Sequence, residues 1–413
     1  MLIVSENISM EMGGESSLPH YYARLFLRRG VEVWLACHER VEASLLKEFP
    51  ELGSRIRLVR DTRAQKTLFR YSNMLPYRLR DTIVGQAIHF STQVRLRKIA
   101  IELARAGMID VVFEPAPITP KGLSFMYNLG VPVVIGPMCG GMNFPAAFAD
   151  LDSRVTRGSM VVGRWLSLFA NRLVPGKLRA AVLLAANEST EKALPTGYRG
   201  QVIRLFESGV DLDLWKPVPT AARGDDGPVR FVFSGRFVDW KGVQFLVPAF
   251  ARAAAEEPRC QLDLIGGGEL EGEIRAAIKE HHLEKSVRLH GWMSRPDAAS
   301  VVRETDVFVM PSLRECGGTA ILEAMALGKP VIAIKWGGPA DYVNASCGVL
   351  VDPDSREGFT TGLADAMVRL TRSPELRRKL GEGGQLRVRE ACLDWESKAD
   401  RVLSLLNDVV TRK

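Results

Sequence analysis

Hydrophobic runs alternate with segments of helical period along the first half of the chain. The runs are LIV (2–4), VEVWLA (31–36), IRLV (56–59), IDVVFE (109–114), VPVVIG (131–136) and AVLLAA (181–186). Stretches with helical spacing of apolar residues, near 17–29 and 39–48, separate the first three. This rhythm predicts a parallel β-sheet covered by helices on both faces.

The same rhythm restarts after residues 208–229, which are rich in Pro, Gly and Asp and which we interpret as a linker. The second set of runs is RFVFSG (230–235), QLDLIG (261–266), SVRLHG (286–291), DVFVMPS (306–312), PVIAI (330–334) and GVLV (348–351). We predict an α/β chain of two Rossmann-like domains, 1–207 and 230–390, whose parallel sheets face each other across a cleft. Residues 391–413 are predicted as a helix that returns to the first domain.

Length and composition agree with two globular domains. A single hydrophobic core rarely exceeds about 250–300 residues, whereas this chain has 413 residues, of which 46% are hydrophobic and 25% charged. Its apolar runs are much shorter than the roughly 20 residues that cross a bilayer. The start MLIVSENISM also lacks the basic segment and cleavage site of a secretory signal. We therefore expect a cytoplasmic protein without a membrane-spanning helix.

Basic side chains are concentrated in the first half. Residues 1–207 contain 27 Lys and Arg against 18 Asp and Glu, whereas residues 208–413 contain 28 against 30. A basic surface indicates an anionic partner. Because the sequence has no zinc finger and no basic motif interleaved with aromatic residues, nucleic acid is not predicted. The inner face of an anionic membrane is the partner that we expect, with peripheral association through this half.

One segment of the first half, VVGRWLSLFANRLV (161–174), is amphipathic if it is helical. Its apolar face would contain Val162, Trp165, Leu166, Phe169 and Leu173. Such a stripe predicts either a helix that faces the core, which is the commoner case, or a helix that lies in a membrane interface.

The strongest chemical signal is RECGGTAILEAMALGKPVIAI, in which Glu315 and Glu323 flank a pair of glycines. Glu315 follows the predicted strand DVFVMPS, and Glu323 is predicted about one turn inside a helix that begins near Gly318. The N-terminus of a helix offers free N–H groups and a positive dipole end, which suit a diphosphate. The two carboxylates would then accept hydrogen bonds from sugar hydroxyls on either side of that diphosphate.

A second loop points to the same ligand. In FVFSGRFVDWKG, Arg236 and Lys241 lie five residues apart between a predicted strand and the next predicted helix. A guanidinium and an ammonium at this position would neutralise the charge that develops on a leaving nucleoside diphosphate.

Other cofactors are not indicated. The stretch GGGEL (266–270) lacks the third glycine of a dinucleotide fingerprint, because Glu271 stands at that position. Three D-x-D pairs occur, but none follows a strand in the context that a metal site would require, and the six cysteines form no C-x-x-C pair. We therefore expect no cofactor and no essential metal.

These motifs together resemble the donor domain of the retaining glycosyltransferases of family 4, also called group 1, which have the GT-B fold. The resemblance covers G-R-(x4)-K-G from Gly235, I-G-x-G from Ile265, an H-G turn at His290 and E-(x7)-E from Glu315. In the first half, MGGESS (12–17), with Gly14 and Glu15, resembles the glycine loop that approaches the donor phosphate. One departure is Glu114, which stands where many relatives have a histidine.

The resemblance implies a role for each matching residue. Arg236, Lys241 and the Thr319 N–H would contact the diphosphate, and Glu315 with Gly317 and Gly318 would hold the transferred sugar. Glu323 would hold the ribose, and Gly268, Trp292 and Met293 would line the nucleotide site. The partners implied are a UDP- or GDP-linked sugar and a glycan or lipid-linked acceptor in bacterial surface polysaccharide or glycolipid assembly. Sugar transfer would retain the anomeric configuration.

Two other functions fit the same pair of domains. The chain could be a sugar-nucleotide epimerase or phosphorylase, because fold alone does not determine chemistry. It could also be a non-catalytic subunit that binds a nucleotide sugar, although the presence of Arg236, Lys241, Glu315 and Glu323 favours an enzyme.

Overall fold

The computed structural model describes residues 1–12, 14–63, 65, 67, 86–151, 167, 169–217 and 227–412. The described chain forms two units. One comprises Met1–Gly141, Ser159–Glu207 and Ala399–Lys413, and the other comprises Met142–Gly158 and Ser208–Lys398.

The first unit contains, in its described residues, a parallel sheet of seven strands. The strands are β1 (Leu2–Val4), β2 (Trp34–His38), β3 (Ile56–Val59), β4 (Val112–Glu114), β5 (Val133–Met138), β6 (Val182–Ala185) and β7 (Gln201–Arg204). Their order is β3-β2-β1-β4-β5-β6-β7. The chain builds outward from β1 to β3 and then crosses to β4, so the topological switch point lies between β1 and β4.

The second unit repeats this plan with six parallel strands among the residues described. They are β8 (Val229–Ser234), β9 (Cys260–Ile265), β10 (Val287–Gly291), β11 (Val307–Met310), β12 (Val331–Ile334) and β13 (Gly348–Val351). The order β10-β9-β8-β11-β12-β13 puts the switch point between β8 and β11, where Val307 pairs with Phe231.

Helices follow most strands. In the first unit, the α-helices whose bounds fall in described residues are α1 (Ser17–Arg28), α2 (Glu42–Glu48), α3 (Gln86–Arg105), α4 (Gly176–Arg179) and α5 (Glu188–Lys192). Those of the second unit are α6 (Val243–Glu256), α7 (Glu271–Glu280), α8 (Arg295–Arg303), α9 (Thr319–Ala326), α10 (Gly337–Tyr342), α11 (Arg356–Arg372) and α12 (Pro374–Glu390). A last helix, α13, spans Trp395–Thr411, and within the first unit Asp400 accepts a hydrogen bond from Arg29 at 2.6 Å.

Each unit has its own hydrophobic core. In the first unit, side chains of β1, β5 and β6, such as Leu2, Ile135 and Leu183, are buried against the helices. In the second, Phe231 and Phe233 of β8 belong to a cluster that includes residues of α6 and α11. Continuous burial of these strands explains their apolar sequences, because a parallel sheet covered on both faces has no solvated side.

The predicted α/β class with two parallel sheets is confirmed. The apolar runs coincide with β1, β3–β6 and β8–β13, with shifts of at most three residues at their ends. The run VEVWLA was predicted as the second strand from residue 31, but β2 begins at Trp34. The pattern did not reveal β7, because this edge strand is only partly buried and QVIR has no continuous apolar run.

Candidate donor site

Most residues predicted to bind the donor in the second unit lie in loops at the carboxyl ends of its strands, and Thr319 and Glu323 lie in the helix that follows one of these loops. The G-R-(x4)-K-G segment follows β8, the I-G-x-G segment follows β9, and Glu315 follows β11. Strands β8 and β11 flank the switch point of this sheet. In open α/β sheets, ligands bind in the crevice outside the carboxyl ends of the strands at this point.

Backbone contacts hold the loop after β8 between its two neighbours. Phe237 N–H donates to Gly267 O at 2.9 Å, and Leu270 N–H donates to Phe237 O at 3.0 Å. On the other side Gly242 has a φ of +69°, and a Cβ atom there would lie 2.1 Å from Pro311 O. Only glycine fits at this position, so Gly242 allows the end of the loop to lie against the segment that leads to Glu315.

The consequence is an ion pair between two predicted site residues. Lys241, in a 3-10 turn spanning Asp239–Lys241, donates from Nζ to Glu315 Oε2, and 18% and 15% of the two side chains are exposed. A partly buried ammonium and carboxylate in contact can bind a phosphate and a sugar hydroxyl side by side. The exposed Arg236 guanidinium lies 5.5 Å from the ring centroid of Trp240 on the same loop.

Helix α9 brings the remaining residues of the E-(x7)-E motif to this region. It begins at Thr319, directly after Gly318, whose φ of +59° is in the left-handed region. Gly317 precedes them in the loop from Glu315, and Glu323 is the fifth residue of the helix. The first turn of any α-helix leaves backbone N–H groups without intrahelical partners. These groups add to the positive charge of the Lys241 ammonium and the Arg236 guanidinium in this region.

Glu323 has a partner that the sequence did not reveal. Its Oε1 accepts a hydrogen bond at 3.0 Å from Nη2 of Arg295, the first residue of α8. Burial raises the pKa of Glu323, and the charge and hydrogen bond of Arg295 oppose that shift. Arg295 directly follows the H-G turn and Ser294, which caps α8. This position next to the turn was the only signal in the sequence for a role of Arg295 in the site.

The predicted nucleotide-lining residues surround the ends of β9 and β10. Gly268 follows β9, and its carbonyl accepts from Glu271 N–H at 3.0 Å. Trp292 is 69% exposed, with its indole nitrogen beside Gly267, and Met293 is half-buried next to it. The turn that carries them is held by His290, whose Nε2 lies 2.7 Å from Oδ1 of the buried Asp263.

Gly14 and Glu15 belong to the first unit, in a 3-10 turn before α1. Burial raises the pKa of Glu15 against the opposing effects of a backbone hydrogen bond at Ile118 and of His89. In the residues that the structure describes, no group of three or more His, Cys, Asp or Glu side chains could hold a metal ion. No helix within the same residues is long and apolar enough to cross a membrane.

Comparison with solved structures defines the class of fold. The Anabaena protein HepE, crystallised in complex with UDP, superimposes with a TM-score of 0.66 at 15% sequence identity, over 98% of this chain and 99% of that one. The chain has the GT-B fold of glycosyltransferases. Residues 221–387 match the family of glycosyl transferases group 1. The chain therefore carries a domain of this family, as its motifs predicted.

Curated glycosyltransferases resemble this chain over 48–59% of its length. The D-inositol 3-phosphate glycosyltransferase of Pseudarthrobacter chlorophenolicus is 32% identical over 255 residues, which are 59% of this chain and 58% of the relative. A GDP-mannose-dependent monoacylated alpha-(1-6)-phosphatidylinositol monomannoside mannosyltransferase of Corynebacterium glutamicum is 27% identical over 48% of this chain and 54% of its own length. The chain thus spans a little over half the length of these curated relatives.

Proposed function

We propose that this chain is a retaining glycosyltransferase that moves a hexosyl group from a UDP- or GDP-linked sugar to a hydroxyl of a glycan or lipid-linked acceptor. The observation that carries the proposal is the contact between Lys241 and Glu315 at the switch point of the second sheet. It joins a cation and a hydroxyl-binding carboxylate beside the N-terminus of α9, which is the combination that a sugar linked to a diphosphate requires.

Each residue has a defined task in this proposal. Lys241, Arg236 and the Thr319 N–H stabilise the negative charge on the leaving diphosphate. Glu315 and the backbone of Gly317 and Gly318 hold the hydroxyls of the sugar. The bond between the anomeric carbon and the phosphate oxygen breaks, the acceptor oxygen bonds to that carbon on the same face, and its proton passes to the departing phosphate. Catalysis then rests on positioning and electrostatics.

The nucleotide portion of the donor would lie toward β9 and β10. Glu323, held by Arg295, accepts hydrogen bonds from the ribose, whereas Gly268, Trp292 and Met293 line the base. UDP in the Anabaena structure and GDP-mannose in the Corynebacterium relative make these two nucleotides the first to test.

The acceptor would bind to the first unit, where Gly14 and Glu15 also lie. Names of relatives refer to an inositol phosphate and to an acylated phosphatidylinositol mannoside, which supports a lipid-linked or polyol acceptor in the assembly of a bacterial surface glycan. The positive charge of the first half supports peripheral association with an anionic membrane from the cytoplasmic side.

A direct test measures release of nucleoside diphosphate from UDP- and GDP-sugars with and without added acceptors. A glycosyltransferase releases the diphosphate mainly when an acceptor is present, and NMR of the first product shows the same anomeric configuration as the donor. Activity in EDTA is expected to equal activity without it. Conversion of one nucleotide sugar into another without an acceptor would identify an epimerase, and donor binding without turnover would identify a binding subunit.

A further inference from the structure

The two cationic side chains of the candidate donor site have partners of different kinds. The Lys241 ammonium donates to the carboxylate of Glu315. The Arg236 guanidinium has no ion pair and no side-chain hydrogen bond within the part of the chain that the structure describes, and it lies over the ring of Trp240 with Cζ 5.5 Å from the ring centroid. A cation within about 6 Å of that centroid is attracted by the negative face of the ring.

The backbone of Trp240 is held in place without its ring. Its N–H donates to Asp239 Oδ1 at 2.7 Å, and its carbonyl accepts from Arg314 N–H at 3.3 Å. The half-buried indole packs against the hydrophobic core of the second unit. The ring therefore has a fixed position, from which it can restrain the Arg236 side chain. Because the backbone bonds do not involve the ring, a change of this side chain should leave the loop in place.

An aromatic partner leaves the guanidinium free to bind an anion. A carboxylate would offset the charge of Arg236 and would occupy up to two of its N–H groups, as in a bidentate pair. The face of a ring attracts the cation without accepting a conventional hydrogen bond. The N–H donors of Arg236 thus remain for phosphate oxygens. The side chain is nevertheless restrained, which reduces the entropy that it loses when a ligand orders it.

We propose that Trp240 is a positioning residue for the donor, because its ring holds the Arg236 guanidinium in the orientation in which it contacts the diphosphate. In the G-R-(x4)-K-G motif, Trp240 is one of the four positions that the motif leaves unspecified. The inference rests on the proposed function, since it assigns a further residue to the charge stabilisation that is ascribed to Arg236.

Turnover of Trp240→Leu and Trp240→Phe tests the proposal. Loss of the ring should lower kcat by about three- to tenfold, less than in Arg236→Ala, because the guanidinium remains but is less well oriented. Trp240→Phe retains an aromatic face and should recover most of this loss. The matched control is Tyr127→Leu, which removes the ring from another pair of this kind, with Arg97 at 4.3 Å in the first unit, and should keep wild-type kcat.

The double variant Arg236→Ala/Trp240→Leu distinguishes positioning from packing. If Trp240 acts through Arg236, the double variant should have the kcat of Arg236→Ala within about twofold, because the ring has no guanidinium left to hold. If Trp240 serves only to pack against the core, the two losses should multiply. Trp240→Met replaces Trp240→Leu in this comparison if the leucine variant does not fold.

NMR of the protein with isotope-labelled arginine gives a readout that needs no turnover. The ring current of Trp240 should shift the Arg236 Cδ protons upfield in wild type, and the shift should disappear in Trp240→Leu. Inorganic pyrophosphate should perturb the same signals, at a severalfold higher concentration in the variant because the contact that orients the guanidinium is lost.

These readouts separate the inference from the proposed function. An upfield shift and a pyrophosphate response without sugar transfer to any acceptor would retain the role of Trp240 and reject the transferase. Absence of the shift in wild type, no response of Arg236 to pyrophosphate, wild-type kcat in Trp240→Leu, or multiplied losses in the double variant would each overturn the proposal.

Discussion

Lys241 and Glu315 form the contact from which the proposed donor chemistry starts. Because the Lys241 ammonium has three N–H donors, it can remain hydrogen-bonded to Glu315 and also donate to a diphosphate. Replacing Lys241 with Ala should lower kcat by about 100-fold, the scale for loss of one preorganised electrostatic contact. Arg236→Ala should have an effect of similar size.

Steady-state kinetics with the best donor and acceptor measure this effect. Lys279→Ala, an exposed position on α7 of the same unit, is the control and should keep wild-type turnover. Near-normal kcat in both Lys241→Ala and Arg236→Ala would remove these residues from the proposed mechanism.

Glu114 gives a prediction about pH. It is buried at the end of β4 and accepts a hydrogen bond from Ser124. Burial raises its pKa from 4.5 to about 7, with smaller opposing effects from Ser124, Lys177 and His89. Between these two pH values the folded chain keeps a proton that the unfolded chain has lost, so stability falls as the pH rises through this window.

Glu114→Gln should remove this dependence. Burial also lowers the pKa of Lys177 to about 7. Below that pH Lys177 is protonated in both the folded and the unfolded chain, so it adds little to the change of stability with pH. Between pH 5 and pH 7 the free energy of unfolding of wild type should fall, relative to that of the variant, by on the order of 1–3 kcal/mol. Thermal melts of both proteins across this range provide the measurement, with the exposed Glu188→Gln as control. Parallel pH profiles for wild type and Glu114→Gln would show that Glu114 is already ionised at pH 5.

At the scale of elements, Gly242 joins the loop after β8 to the segment after β11. Gly242→Ala would put a Cβ atom 2.1 Å from Pro311 O at a φ of +69°. We expect a loss of about 1–3 kcal/mol in stability, together with weaker nucleotide binding because Lys241 is displaced.

Gly272→Ala is the matched control for Gly242→Ala. Gly272 lies within α7, and a Cβ atom there would have no neighbour within 4 Å. Alanine should therefore be neutral or stabilising by up to about 1 kcal/mol. Calorimetry for stability and titration with UDP and GDP for binding compare the two variants. Equal behaviour of Gly242→Ala and Gly272→Ala would contradict the close approach at Gly242.

At the scale of the whole molecule, the first unit is proposed to associate with an anionic membrane. Val162, Trp165 and Leu166 of the predicted amphipathic face lie outside the described residues. Residues 169–173 are helical, and Phe169 and Leu173 are 63% and 66% exposed. Apolar side chains one turn apart beside basic residues favour binding at a membrane interface.

Co-sedimentation with phosphatidylglycerol vesicles tests this association. Binding is expected at low salt, should weaken at high salt because charge attraction is screened, and should be absent with phosphatidylcholine alone. The double change Phe169→Ser and Leu173→Ser should reduce it severalfold, whereas Leu386→Ser, which is 56% exposed on α12, should not. A wild-type protein that does not bind anionic vesicles at low salt would exclude the membrane proposal and leave the transfer reaction unaffected.

The sequence by itself determined the class of the molecule and most of its strands. Burial on both faces of a parallel sheet requires continuous apolar runs, and these can be recognised locally, as in DVFVMPS for β11. The spacing of Glu315, Gly318 and Glu323 also fixed where α9 begins and how far inside it Glu323 lies. Local spacing is visible in sequence because neighbouring residues share one element.

Only the tertiary structure decided which elements are neighbours. β8 lies next to β11 although three helices and two strands separate them in the chain, and this pairing brings together Lys241 and Glu315, 74 residues apart. The pairing of Arg295 with Glu323 likewise depends on packing between distant segments. Periodicity reports whether a residue is buried, but the partner that it meets there is set by non-local strand order and helix docking, which no local pattern encodes.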